Sequence, residues 1–313
     1  MTTTISRDSQ QEQSRASADP PAAVPRRSSK AEPFTIVSLV GVGAFALFCL
    51  VPLWMILAGS LTDENKLSVD GYSFWPSPFS LKAYSAIVAG GALWKAMGAS
   101  LFITIVGTAI SLVATAGIAW AIARRVPRLS TSLAVVGYVP MLFHGGLVPL
   151  YILVTQYLHL QDSWFSVILP LAVAPFLVFI GVSFFAQLPK EILESARVDG
   201  AGELRTFFQI VLPLSKPILA VIGLFYAVAY WNEWFMALLF ITDPEKFPMQ
   251  LVLQNLIASV SNAAGMVPAS SDVAPVYQLR LALTVVTMLP ILFAYPFAQR
   301  YFVKGLTLGA TKG

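Results

Sequence analysis

Cysteine and histidine are nearly missing from this 313-residue chain, which has one cysteine, Cys49, and two histidines, His144 and His159. A single thiol excludes an intrachain disulfide and a cysteine-based metal site. The histidines share no metal-ligand spacing with each other or with an acidic residue. His144, between Phe143 and Gly145-Gly146, reads as a packing or local hydrogen-bonding residue of an apolar run rather than a ligand. Charge is also scarce: Asp, Glu, Lys and Arg make up 12% of the residues, against about a quarter in an average soluble domain. No stretch reads G-x-x-x-x-G-K-[ST], and the tail from Gly305 to Gly313 approaches it only in glycine content. Neither H-E-x-x-H nor G-x-S-x-G occurs. The chain has no motif of its own for holding ATP or for bond chemistry, and neither a metal nor a cofactor is expected.

What is abundant is apolar sequence. Hydrophobic residues form 57% of the chain and the mean hydropathy is +0.72. Six runs, over residues 34–59, 97–122, 133–154, 164–185, 218–241 and 281–298, are each long enough for a membrane-spanning helix, which needs about 18 or more apolar residues. Residues 1–33 are rich in Ser, Thr, Gln, Pro and charge, so they read as a disordered tail. That tail is too long and polar for a secretion signal, so the first run is expected to serve as an uncleaved targeting segment. Residues 34–313 then form one transmembrane domain. The third run carries Pro140, Gly145, Gly146 and Pro149, which mark kinks in spans.

The few cations are unevenly placed. Taking the runs as six spans, 15 Lys and Arg fall on the side of the two termini and 5, namely Lys66, Lys82, Lys95, Lys246 and Arg280, fall on the other. The positive-inside rule then puts both termini in the cytoplasm of a multi-pass protein of the cell membrane. Cations that follow topology rather than one patch give no nucleic-acid surface.

One of the cytoplasmic segments, 188–216, has a pattern of its own. Pro189 suits a helix start, Glu191 and Glu194 favour the first turns, and Asp199-Gly200 closes the helix because glycine accepts the left-handed conformation. A second helix is expected from Glu203, with Leu204, Phe207, Phe208 and Val211 on one face, and Pro213 is expected to end it. On these residues alone, the hairpin serves equally as an interfacial element without a partner or as a plug for a groove on a soluble protein.

The octet Glu194-Ser195-Ala196-Arg197-Val198-Asp199-Gly200-Ala201, followed by Phe207, Ile210, Leu212 and Pro213, closely resembles the signature of permease subunits of bacterial ABC importers. That signature reads E-A-A, two residues, D-G-A, then a spaced F, I and L-P; only Ser195 departs, one small residue for another. The blocks Pro76-Ser77-Pro78-Phe79-Ser80-Leu81, Gly146-Leu147-Val148-Pro149, Trp231-Asn232-Glu233-Trp234-Phe235, Pro248-Met249-Gln250-Leu251 and Gln299-Arg300-Tyr301-Phe302 resemble the sugar branch, particularly permeases for oligosaccharides. The resemblance implies an all-α membrane protein of the type I importer fold with six spans. It implies a coupling loop between the fourth and fifth spans, made by Glu194, Ser195, Ala196, Asp199, Gly200 and Ala201 with Phe207, Ile210, Leu212 and Pro213, which docks onto a separate ATPase. It implies a second permease subunit, cytoplasmic ATP-binding subunits, an external sugar-binding protein and surrounding lipid as partners.

Glu233 is the one acidic residue within an apolar run, and a charge there is costly enough to mark a functional candidate. With Tyr230, Trp231 and Asn232 it forms a cluster suited to a sugar: rings stack on C–H faces while amide and carboxylate accept hydroxyls. The same cluster equally suits helix–helix packing. A membrane-embedded enzyme or sensor is the other class of function, with Glu233 and His144 as its candidate groups, and a permease for a non-sugar solute is a third reading.

Overall fold

The computed structural model describes residues 33–89, 91–143, 145–263 and 276–310, and His144 and nearly all of the tail 1–33 lie outside them. Among the described residues the regular structure is helical, apart from one antiparallel bridge between Thr62 and Phe79. The chain divides into two units, 1–51 and 52–313. The described part of the first unit belongs to helix α1, Pro33–Ser60, which is apolar on every face, as a membrane span is.

The second unit is organised along one helix. After α2 (Glu64–Asp70) and α3 (Lys82–Ala89), α4 runs unbroken from Ala92 to Ala123. At 1.5 Å per residue its 32 residues extend about 48 Å, well beyond the roughly 30 Å of a hydrocarbon core, so α4 reaches water. It contains no proline, and three groups of buried side chains follow one another along it. Near one end Ala96 meets Ala83, Met249, Leu253 and Leu283. Next, Ile103 meets Val167, Ile168, Ile222, Tyr226 and Tyr230. Near the other end Trp120 meets Val178, Phe185, Phe207 and Val211. Glycine permits the closest approach: a Cβ on Gly107 would stand 2.8 Å from the Tyr230 ring.

All six apolar runs are helical, but half of them are interrupted. The third is divided into α5 (Leu129–Leu142) and α6 (Leu147–Ile152, prolonged by a widened turn to Tyr157), with Gly146 at φ +86° between them. The fourth comprises α7 (Phe165–Ile168, with a tight turn to Leu171) and α8 (Pro175–Phe185), bent by 52° around Pro170 and Pro175. The hairpin elements α9 (Lys190–Val198), α10 (Glu203–Thr206) and α11 (Leu212–Leu214) follow, and then α12 (Lys216–Trp231) and α13 (Phe235–Phe240) divide the fifth run. After α14 (Met249–Ala263), the sixth run lies in α15 (Val276–Ala310). Three helices are individually long and apolar enough to cross a membrane, and two bent pairs pass the same test together.

Candidate functional site

The hairpin 188–216 folds by local rules. Helix α9 ends in a Schellman closure: Ala201 N–H donates to the Ala196 carbonyl (2.9 Å) and Gly200 N–H to the Arg197 carbonyl (3.0 Å). Gly200 sits at φ +76°, as this closure requires. Ala196 is buried, while Glu194, Ser195, Asp199 and Gly200 are exposed. Glu203 opens α10 as expected.

Two expectations need correction here. The four apolar residues expected on one face separate. Phe207 and Val211 are buried on Trp120, whereas Leu204 and Phe208 are 75% and 57% exposed. The cause is a widened turn over Phe207–Val211, in which Leu212 N–H reaches back to the Phe207 carbonyl and the 3.6-residue period fails. Pro213 does not end the helix either. The widened turn accommodates the missing N–H, the helix runs on to Leu214, and the chain turns through 83° around Ser215. Ile210 and Leu212 are half-buried and Pro213 is exposed.

The hairpin is tied to α4 by groups that the sequence did not point to. One oxygen of Glu203, Oε1, accepts from Arg124 Nη2 at 2.7 Å and from Arg197 Nη2 at 3.1 Å. These bonds, Arg124's foremost, hold the Glu203 carboxyl below the usual carboxylate range. The Arg124 guanidinium lies 5.2 Å from the centroid of Trp120, and Trp120 stacks on Phe207 with centroids 6.3 Å apart. Glu203 and Arg124 are 79 positions apart, so no local spacing signals the pair.

The aromatic and acidic cluster at 230–233 is divided between packing and exposure. Tyr230 is buried; its hydroxyl pairs with that of Ser111 at 2.8 Å and donates to the Ile168 carbonyl at 2.9 Å. Trp231 is buried and donates from Nε1 to the Thr287 carbonyl at 3.0 Å. Asn232 is exposed and Glu233 half-buried in the break between α12 and α13, where a Glu233 oxygen accepts from Met236 N–H at 2.8 Å. Gln250 Nε2 stands 3.4 Å from Asn232 Oδ1. Glu233 thus lies at a helix break rather than inside a continuous span. The exposed polar surface there consists of an amide, a carboxylate and a second amide.

Beyond α13 the segment 159–164 is pinned to 240–246. Asp162 accepts from the Thr242 hydroxyl (2.7 Å), from Thr242 N–H and from Asp243 N–H. The Thr242 hydroxyl, the two amides and nearby Lys246 together hold the Asp162 carboxyl below its ordinary range. Among the described residues no group of three His, Cys, Asp or Glu is placed to hold a metal ion.

Residues 87–308 match the family described as binding-protein-dependent transport system inner membrane component. Protein LplC of Bacillus subtilis (strain 168) is 39% identical over 281 residues, covering 90% of this chain and 95% of LplC. The polygalacturonan/rhamnogalacturonan transport system permease protein YtcP of the same organism is 36% identical, covering 86% of this chain and 94% of YtcP. The crystal structure of a bacterial ABC transporter involved in the import of the acidic polysaccharide alginate superposes with a TM-score of 0.75 at 28% identity, covering 89% of this chain and 99% of the matched one.

Proposed function

This chain belongs to the family of inner-membrane components of binding-protein-dependent transport systems, and on that premise we propose that it is a permease subunit of an ATP-driven sugar importer. It supplies half of a six-span-per-subunit translocation path, beside a second permease subunit. The family match over 87–308 carries the reading, and relatives named for oligosaccharide and polysaccharide transport support the sugar.

The bias of 15 cations against 5 supports a cytoplasmic position for the termini and for the hairpin. There Glu194, Ser195, Ala196, Asp199, Gly200 and Ala201, with Phe207, Ile210, Leu212 and Pro213 behind them, form the contact for a separate ATPase. The exposed Val198, Leu204 and Phe208 suit that role, since apolar groups on a polar hairpin seek a partner surface. An external sugar-binding protein delivers the substrate from the opposite side. ATP closure of the ATPase pair and sugar delivery bias the same two-state equilibrium of the spans from opposite ends.

Asn232 and Glu233, with Gln250 beside them, are the groups that meet the sugar. Tyr230 and Trp231 hold the break in shape. No Lys or Arg lies in any of the six runs, so this half of the path offers acceptors and amides to hydroxyl groups rather than cations to carboxylates. The test is reconstitution of this chain with a second permease subunit, the ATPase and the external binding protein that co-purify with it. ATP-dependent uptake of a labelled oligosaccharide is expected, and its absence across a panel of plant-derived oligosaccharides would overturn the sugar assignment.

A further inference from the structure

We propose that Glu203 and Arg124 form the joint through which movement of the hairpin reaches α4, and through α4 the break at Asn232 and Glu233. The inference rests on the reading that the hairpin is the ATPase contact. Glu203 lies where three elements meet, its carboxylate accepting from Arg197 of α9 and from Arg124, the residue that caps α4. Behind the ion pair, Trp120 of α4 stacks on Phe207 and meets Phe185 edge-on, so the hairpin has both a charged and an aromatic hold on the same end of α4.

Helix α4 is suited to carry movement onward because, unlike the interrupted third, fourth and fifth runs, it is continuous and free of proline. Its far-side hydroxyls grip α12. Thr115 pairs with the Tyr226 hydroxyl at 2.6 Å and Ser111 with that of Tyr230 at 2.8 Å. Tyr230 is two residues from Asn232. A shift of the Arg124 end of α4 therefore acts on the helix that ends at the proposed sugar groups.

The pair is placed for transmission rather than for stability. The Glu203 side chain is 59% exposed against 19% for Arg124, and an ion pair open to water on its acidic side contributes little to folding. It also has one role that Arg197 lacks. Losing Arg197 leaves the ion pair between hairpin and α4 in place, whereas losing Arg124 removes it and leaves only the aromatic hold.

The experiment measures uptake and ATP hydrolysis together in proteoliposomes of the full complex with its binding protein. Glu203→Gln and Arg124→Gln are each expected to lower oligosaccharide taken up per ATP hydrolysed by roughly fivefold or more, with the complex intact and hydrolysis continuing. The double variant is expected to be no worse than the lower single, since both remove one interaction. Glu203→Asp and Arg197→Gln are expected to keep most of the ratio. Should Arg124→Gln not assemble, the exposed position of Glu203 lets Glu203→Gln carry the test. An unchanged ratio in Glu203→Gln, loss of the ATPase from that variant, or a double variant whose losses multiply would each overturn the joint. If the unsubstituted complex takes up no oligosaccharide, the proposed function fails instead, whatever the variants do.

Discussion

Among the four residues at the end of α12, neighbours have opposite environments. Tyr230 and Trp231 are enclosed and fully bonded, so their replacement is a matter of stability. Tyr230→Phe leaves the Ile168 carbonyl and the Ser111 hydroxyl short of a partner, at about 1–3 kcal/mol. Trp231→Ala opens a cavity at about 3–5 kcal/mol. Both should lower the melting temperature of the purified complex. Glu233→Gln retains an oxygen for Met236 N–H, so assembly should survive while the apparent Km for sugar rises roughly tenfold, the worth of one charged hydrogen bond. Unchanged uptake across sugar concentrations would leave Glu233 as a helix cap only. Asp162 gives a prediction with a pH sign. Its native pKa lies below the unfolded value, so its contribution is complete at neutral pH and is lost only as pH falls through the native value. Asp162→Asn should therefore speed amide exchange at Thr242 and Asp243 at pH 7, whereas the unsubstituted protein should show no such loosening until strongly acid pH. At this scale the sequence identified the cluster 230–233 but not its division into packed and exposed halves. The deciding partners, Ser111, Ile168 and Thr287, are 56 to 119 positions away.

At the scale of the element, the hairpin separates what local rules decide from what packing decides. The helix over α9, its closure at Gly200 and the restart at Glu203 were all legible, because capping, helix-dipole preference and glycine's access to positive φ act within a few residues. The widened turn at Phe207–Val211 was not, because it is set by Phe207 and Val211 seating on Trp120 and Phe185 of other helices. Gly200→Val should separate backbone strain from surface chemistry. Nothing stands within 4 Å of the Cβ it would add, so within this chain its cost is the positive φ, about 1–2 kcal/mol for a residue with a Cβ. On the folded complex that cost falls on the shape of the turn presented to the ATPase. Gly200→Val should strip the ATPase from the purified permease pair and abolish uptake. Ser195→Ala removes only an exposed bond to the Ile192 carbonyl and should change neither. A Gly200→Val variant that retains its ATPase and transports normally would remove the hairpin from the coupling role.

The whole molecule depends on which side of the membrane the hairpin faces, and that rests on the distribution of its cations. Hydropathy located all six apolar runs, since each is helical. Hydropathy alone is blind to the breaks in the third, fourth and fifth: Pro140, Gly145, Gly146 and Pro149 marked the kink in the third, whereas the break at Asn232–Trp234 carries neither proline nor glycine. Where each broken run still crosses, the sidedness prediction stands; a run that re-enters instead removes a crossing and reverses it. Gly202 is the site to test it. The residue is exposed, its φ of −68° is open to any side chain, and a Cβ there meets nothing within 4 Å. With Cys49→Ser removing the natural thiol, Gly202→Cys should fold and transport as before. A membrane-impermeant maleimide should leave it unlabelled in intact cells and label it in inside-out vesicles. A cysteine at Val69, 81% exposed and near Lys66 in the segment between α1 and α4, should show the reverse. If both positions label from the same face, the number of crossings between them is even and the span count is wrong. If the two patterns are exchanged, the count stands but the orientation is inverted, and a cytoplasmic ATPase has no access to the hairpin.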